Sequence, residues 1–118
     1  MTGSYTFRLA AAMPDRIGAA ASFHGGGLAT DKDDSPHRLV PKAKAGFLVA
    51  IAENDHERDP EAEPTLQKAF ADAGVSAEIE VYEGAMHGWC PPDGDVYNEA
   101  QAERAWSRLL VLLEKELA

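Results

Sequence analysis

The chain has 118 residues, 45% hydrophobic and 26% charged, which suits one soluble globular domain spanning residues 1–118 around a single core. A formal net charge of −9 with no run of Lys or Arg argues against nucleic-acid partners and against an anionic membrane surface. Cys90 is the one cysteine, so an internal disulfide is excluded; with no apolar run near the roughly 18 residues of a membrane span, a cytoplasmic location is the default expectation.

The first stretch, SYTFRLAAAM (Ser4 to Met13), is rich in helix formers, and Pro14 with Asp15 stops it. IGAAASF (Ile17 to Phe23) is a short apolar run of the kind found in fully buried strands, ended by HGGG (His24 to Gly27). ATDKDDSPHR is a polar loop in which Ser35 is expected to cap a short helical turn that Pro41 would end. GFLVAIA (Gly46 to Ala52) is the clearest buried strand and belongs at the centre of a sheet, with ENDHERDPE after it as a polar loop.

Pro64 suits a helix first turn, Leu66, Ala69, Phe70 and Ala73 recur at helical spacing, and Gly74 stops the helix. VSAEIEVY then alternates apolar and polar residues as a half-buried edge strand does. After HGWCPPDGD, Asn98 with Gln101 fits a helix cap. Ala102, Trp106, Leu109, Leu110, Leu113 and Leu117 then make one apolar face of a closing amphipathic helix. This order predicts an α/β fold of three parallel strands with flanking helices. Built in chain order, such a sheet leaves the Ile17 to Phe23 strand at an open edge although it reads as a central one. A neighbouring strand is therefore expected, from a preceding segment or from a second copy.

Loops at the carboxyl ends of parallel strands gather on one side and form sites. Here they are HGGG, ENDHERD and GAMHGW. Adjacent strands would bring His87 of the third loop near Asp55 of the second, and a carboxylate on one imidazole nitrogen leaves the other free as a base. Each residue also has a plainer reading: a loop histidine is commonly solvated, and Glu53, Glu57 or Asp59 could replace Asp55 in so acidic a segment. His24 and Trp89 are candidate pocket residues, although His24 also suits a tight turn beside the glycines and Trp89 suits packing. The four histidines lack metal-ligand spacing, and GGG lacks the Lys-Ser/Thr of a phosphate loop. No metal and no cofactor are expected.

Taken together, AAAMPDRIGAAASFHGG, FLVAIAENDHERDPE and VYEGAMHGW, in that order before an amphipathic helix, resemble the C-terminal half of the dienelactone hydrolase family of α/β-hydrolases. The resemblance runs from Met1 to the last helix. It implies a partial α/β-hydrolase fold lacking the N-terminal strands, with Asp55 as triad acid, His87 as triad histidine and a small-molecule ester or lactone as substrate. It also implies a Cys or Ser nucleophile just before Met1, whose backbone N–H would help form the oxyanion hole. The arginine that substrate-recognising members carry beyond the histidine is unmatched, Cys90, Pro91 and Pro92 standing there.

Cys90 is a weak substitute nucleophile, since it shares the His87 loop and has no helix N-terminus to lower its pKa. Two outcomes are expected of the chain. One is an ester or lactone hydrolase that is weak or inactive by itself. The other is a non-catalytic module that forms a homodimer, or binds a partner, through its uncovered strand.

Overall fold

The unbroken apolar run GFLVAIA forms strand β2 (Gly46–Ala52), in which every residue is buried. In the computed structural model, which describes residues 2–117, β2 lies between β1 (Ala19–Phe23) and β3 (Ala77–Tyr82). Both pairings are parallel, Ala19 standing opposite Gly46 and Phe47 opposite Ala77. Among the described residues β1 lies at a sheet edge, as expected, although the strand starts at Ala19 rather than Ile17.

The side-chain alternation of β2 feeds two cores. Phe47, Val49 and Ile51 point into one built with α1 (Gly3–Ala12) and α3 (Ala62–Ala73), where Phe7, Phe47 and Phe70 meet with ring centroids 4.9 to 6.0 Å apart. Ala50 and Ala52 point the other way, to α4 (Glu99–Leu117), together with Tyr82, Trp89 and Ala105. Gly74 ends α3 in the left-handed region at φ 67°, which a side chain would strain. Asn98 starts α4 by accepting the Gln101 N–H at 3.1 Å.

Three expectations are corrected. ENDHER is a short helix, α2 (Glu53–Arg58), rather than a loop; Glu53 and Asp55 in its first turn and His56 and Arg58 in its last match the helix dipole. Ser35 stands at the N-cap of the 3-10 helix Pro36–Lys42, as expected, but its side chain makes no capping bond there. Its Oγ instead accepts the Thr30 N–H and meets His37 Nδ1, and Pro41 lies within that helix rather than ending it.

The third correction concerns α4. Ala105 and Leu112 are its buried residues, while Trp106, Leu110, Leu113 and Leu117 are turned aside and exposed. Small residues are needed where the helix crosses Tyr82 and Trp89, so the bulky apolar row lies on the neighbouring flank. The opposite flank carries Arg104 and Arg108, which pair with Glu80 and Glu78 of β3. Among the described residues no helix is long and apolar enough to cross a membrane.

Candidate active site

All three strands deliver their carboxyl ends to one edge of the molecule, and α2 begins directly at the end of β2. The Glu53 N–H at the start of α2 donates to the Ala85 carbonyl at 2.8 Å, tying the helix to the loop after β3. The next two residues reach across to His87. Asn54 Oδ1 accepts the His87 backbone N–H at 2.8 Å, and Asp55 Oδ2 lies 2.7 Å from His87 Nδ1. An ionised carboxylate can only accept, so Nδ1 carries the proton and Nε2 keeps a basic lone pair.

Exposure differs across this pair in a useful way: the Asp55 side chain is 13% exposed and that of His87 is 47% exposed. The carboxylate is thus held in place while the imidazole faces incoming groups. Asp55 Oδ1 lies 3.8 Å from Arg58 Nη1, one turn along α2. Gly88, at φ 95°, makes the turn directly after His87, in a conformation that favours glycine. A cleft of about 200 Å³ opens beside Asp55, with Leu28, Ile51 and Leu66 as its apolar lining and Gly26 and Arg58 also at its walls.

His24 ends β1 with φ at 64°, an uncommon value for a residue with a side chain. Its ring centroid lies 5.9 Å from that of His87 and 4.5 Å from that of Trp89, and its Nε2 accepts the Cys90 backbone N–H at 3.3 Å. Burial first, and the neighbouring His87 second, push its pKa below the ordinary 6.5, against a smaller pull from Asp55. Neutral His24 fits its acceptor role.

A pH effect follows from that shift. The unfolded chain takes up a proton at His24 near 6.5, whereas the folded ring resists it to lower pH, so stability is complete above 6.5 and declines as pH falls through the folded value. The melting temperature is expected to fall as pH drops below 6.5, and less steeply in His24→Asn, since Asn tolerates positive φ. His37, also lowered by burial, supplies part of the remaining slope. Equal slopes in the two proteins would remove His24 from this account.

The remaining sequence candidates occupy distinct places. Trp89, considered as a pocket wall, is completely buried and supports His24 from within, because its indole fills the space between His24 and Tyr82. Cys90 is half-buried, and burial pushes its thiol pKa up, which lowers the thiolate fraction needed of a nucleophile. Met1, given an oxyanion-hole N–H by the family resemblance, lies outside the described residues. Among the described residues no group of three or more His, Cys, Asp or Glu is placed to hold a metal ion.

With this geometry in view, comparison with known proteins assigns the chain. The model of the dienelactone hydrolase family matches residues 1–117. The chain belongs to the dienelactone hydrolase family. A solved structure of a candidate dienelactone hydrolase from Klebsiella pneumoniae subsp. pneumoniae superposes with a TM-score of 0.81 at 25% identity, covering 95% of this chain and 48% of that one. A promiscuous phosphotriesterase from metagenomic libraries, described as dienelactone hydrolase-like, superposes at 0.77 with 20% identity, covering 97% of this chain and 48% of its own. The chain thus spans about half the length of these dienelactone hydrolase-like structures. Comparison with the curated proteins found no match.

Sequence reasoning overlooked Asn54. Its neighbour Asp55 drew attention as a carboxylate, and reading the segment as a loop hid the helical turn that lets both residues face His87.

Proposed function

We propose that this chain carries the base and the orienting acid of an ester or lactone hydrolase, with His87 as general base and Asp55 as its carboxylate partner. The observation that carries the reading is the 2.7 Å contact between His87 Nδ1 and Asp55 Oδ2, made by segments following adjacent strands in a dienelactone hydrolase-family chain. In such a reaction a Cys or Ser nucleophile attacks the carbonyl carbon while His87 Nε2 takes its proton. Asp55 stabilises the imidazolium so formed. Collapse of the tetrahedral intermediate expels the alcohol, which receives that proton, and water then repeats the sequence to release the acid.

Cys90 is the chain's one thiol, and its raised pKa makes it a poor nucleophile. Slow turnover is therefore expected from the chain by itself, carried by the basic nitrogen of His87. The test follows 4-nitrophenol release from 4-nitrophenyl acetate, with circular dichroism to check folding. His87→Ala is expected to lower the rate above buffer by about tenfold or more, less than the ~10²–10⁴-fold of a base in a complete site because a good nucleophile is lacking here. Cys90→Ala is expected to leave it within about twofold, since a thiol of raised pKa supplies little thiolate. Equal rates for wild type and His87→Ala would sink the reading.

A further inference from the structure

The first three residues of α2 each bond to the loop after β3. The Glu53 N–H donates to the Ala85 carbonyl at 2.8 Å, Asn54 Oδ1 accepts the His87 N–H at 2.8 Å, and Asp55 Oδ2 meets His87 Nδ1 at 2.7 Å. The Ala85 bond already fastens the loop to the helix, and β2 and β3 stay paired as far as Ala52 and Tyr82. What the Asn54 bond adds is a hold on the peptide of the histidine itself. A ring held through Nδ1 alone can pivot about that bond and carry Nε2 with it. A second hold on the main chain leaves Nε2 one direction, and a misplacement of about 1 Å in a reacting group can cost ~10²-fold in rate.

A carboxylate at position 54 could receive the same N–H, and a charged acceptor makes the stronger bond. The chain instead has an amide there, between Glu53 and Asp55. The two side chains share a shape and differ in charge. From α2, Asp55 faces the His87 ring, with Arg58 3.8 Å from its other oxygen; from the end of β1, His24 stands 5.9 Å away between ring centroids. A second negative charge on the α2 side would favour the imidazolium, which has no basic nitrogen.

We propose that Asn54 is a positioning residue for His87, holding its main chain with an acceptor whose neutrality adds no second charge beside Asp55. The division of work is then clear. Asp55 fixes the tautomer and supports the imidazolium when it forms, while Asn54 aims the ring and leaves its proton affinity to Asp55. The inference rests on the reading of His87 as a general base and names the residue that directs it.

Asn54→Asp and Asn54→Leu separate charge from aim in the purified chain, with circular dichroism as the check on folding and Asn54→Ala in reserve if the leucine variant does not fold. In an NMR titration, Asn54→Asp is expected to move the midpoint of the His87 ring signals up by about half a pH unit or more, the scale of one added charge roughly 6 Å away in a watery setting. The rise of 4-nitrophenyl acetate turnover with pH should move up with it, and above the new midpoint the rate should lie within about threefold of wild type, because the acceptor is kept. Asn54→Leu keeps the size but has no acceptor. It is expected to broaden the His87 ring signals, to speed exchange of the His87 amide hydrogen by about fivefold or more, the scale of one lost hydrogen bond, and to lower turnover by about threefold or more at every pH. A merely structural role would lower the urea midpoint of both variants and leave the titration in place. An unmoved His87 midpoint in folded Asn54→Asp would overturn the proposal, as would unchanged His87 line widths in folded Asn54→Leu. If His87→Ala turns over as fast as wild type, the general-base reading fails, and the midpoint and line widths still decide whether Asn54 holds the ring.

Discussion

Phe47→Ala is expected to destabilise the chain by about 3–5 kcal/mol, the range for removing a buried phenylalanine. Phe47 is at the amino end of the central strand, buried, with its ring centroid 5.1 Å from Phe7 of α1 and 4.9 Å from Phe70 of α3. It is therefore the side chain through which two helices grip one strand. Neither helix can close the gap by itself, because each is also fixed elsewhere, Phe7 and Phe70 touching at 6.0 Å and Leu66 being buried one turn from Phe70. A domain of this size has roughly 5–15 kcal/mol in total, so the variant should be partly unfolded at moderate urea. Phe47→Leu, which keeps most of the volume, should lose about 1 kcal/mol. Urea unfolding followed by far-UV circular dichroism separates the two, and equal midpoints for Phe47→Ala and wild type would refute this view of the core.

Trp89→Ala is expected to cost a comparable ~3–5 kcal/mol. Its effect reaches further, because Trp89 joins the second core to the candidate site. It packs against Tyr82 at 5.4 Å and edge-on against His24 at 4.5 Å, while its backbone carbonyl accepts the Asn98 N–H at the start of α4. Truncation leaves a cavity beneath His24 and frees the loop that carries His87. Trp89→Phe should cost distinctly less, since the indole N–H is buried with no protein partner among the described residues and its removal costs no hydrogen bond. The check pairs urea midpoints with the histidine ring resonances in NMR spectra. Unchanged His24 and His87 signals in folded Trp89→Ala would show that the site does not depend on this support.

Much of the fold could be read from local chemistry. A seven-residue apolar run permits little except a central strand, and β2 has the bounds that run predicts. Gly74 and Asn98 mark the end of α3 and the start of α4 because backbone geometry and capping act over a few residues. Reading was less successful where a segment's role depends on what lies across from it. ENDHER has no apolar period, so its helical turn came from dipole-matched charges and contacts with the third loop rather than from pattern. Helical spacing grouped Trp106, Leu110, Leu113 and Leu117 as a buried face, but spacing alone cannot tell a face against the sheet from one beside it. The juxtaposition of Asp55 and His87 followed from strand adjacency. From the residues alone Glu53, Glu57 and Asp59 stayed open; the family resemblance pointed to Asp55, and the orientation of α2 places it against the ring.

The grip on His87 also ties two strands together at their carboxyl ends. Asn54 holds its main chain and Asp55 its ring, and both residues hang from β2, as His87 hangs from β3. β2 and β3 are paired over six positions, and among the described residues β3, like β1, pairs on one side alone. Opening of β3 at its carboxyl end therefore has to break the two His87 contacts as well as the strand pairing. The two contacts that orient the imidazole thus also brace an edge strand.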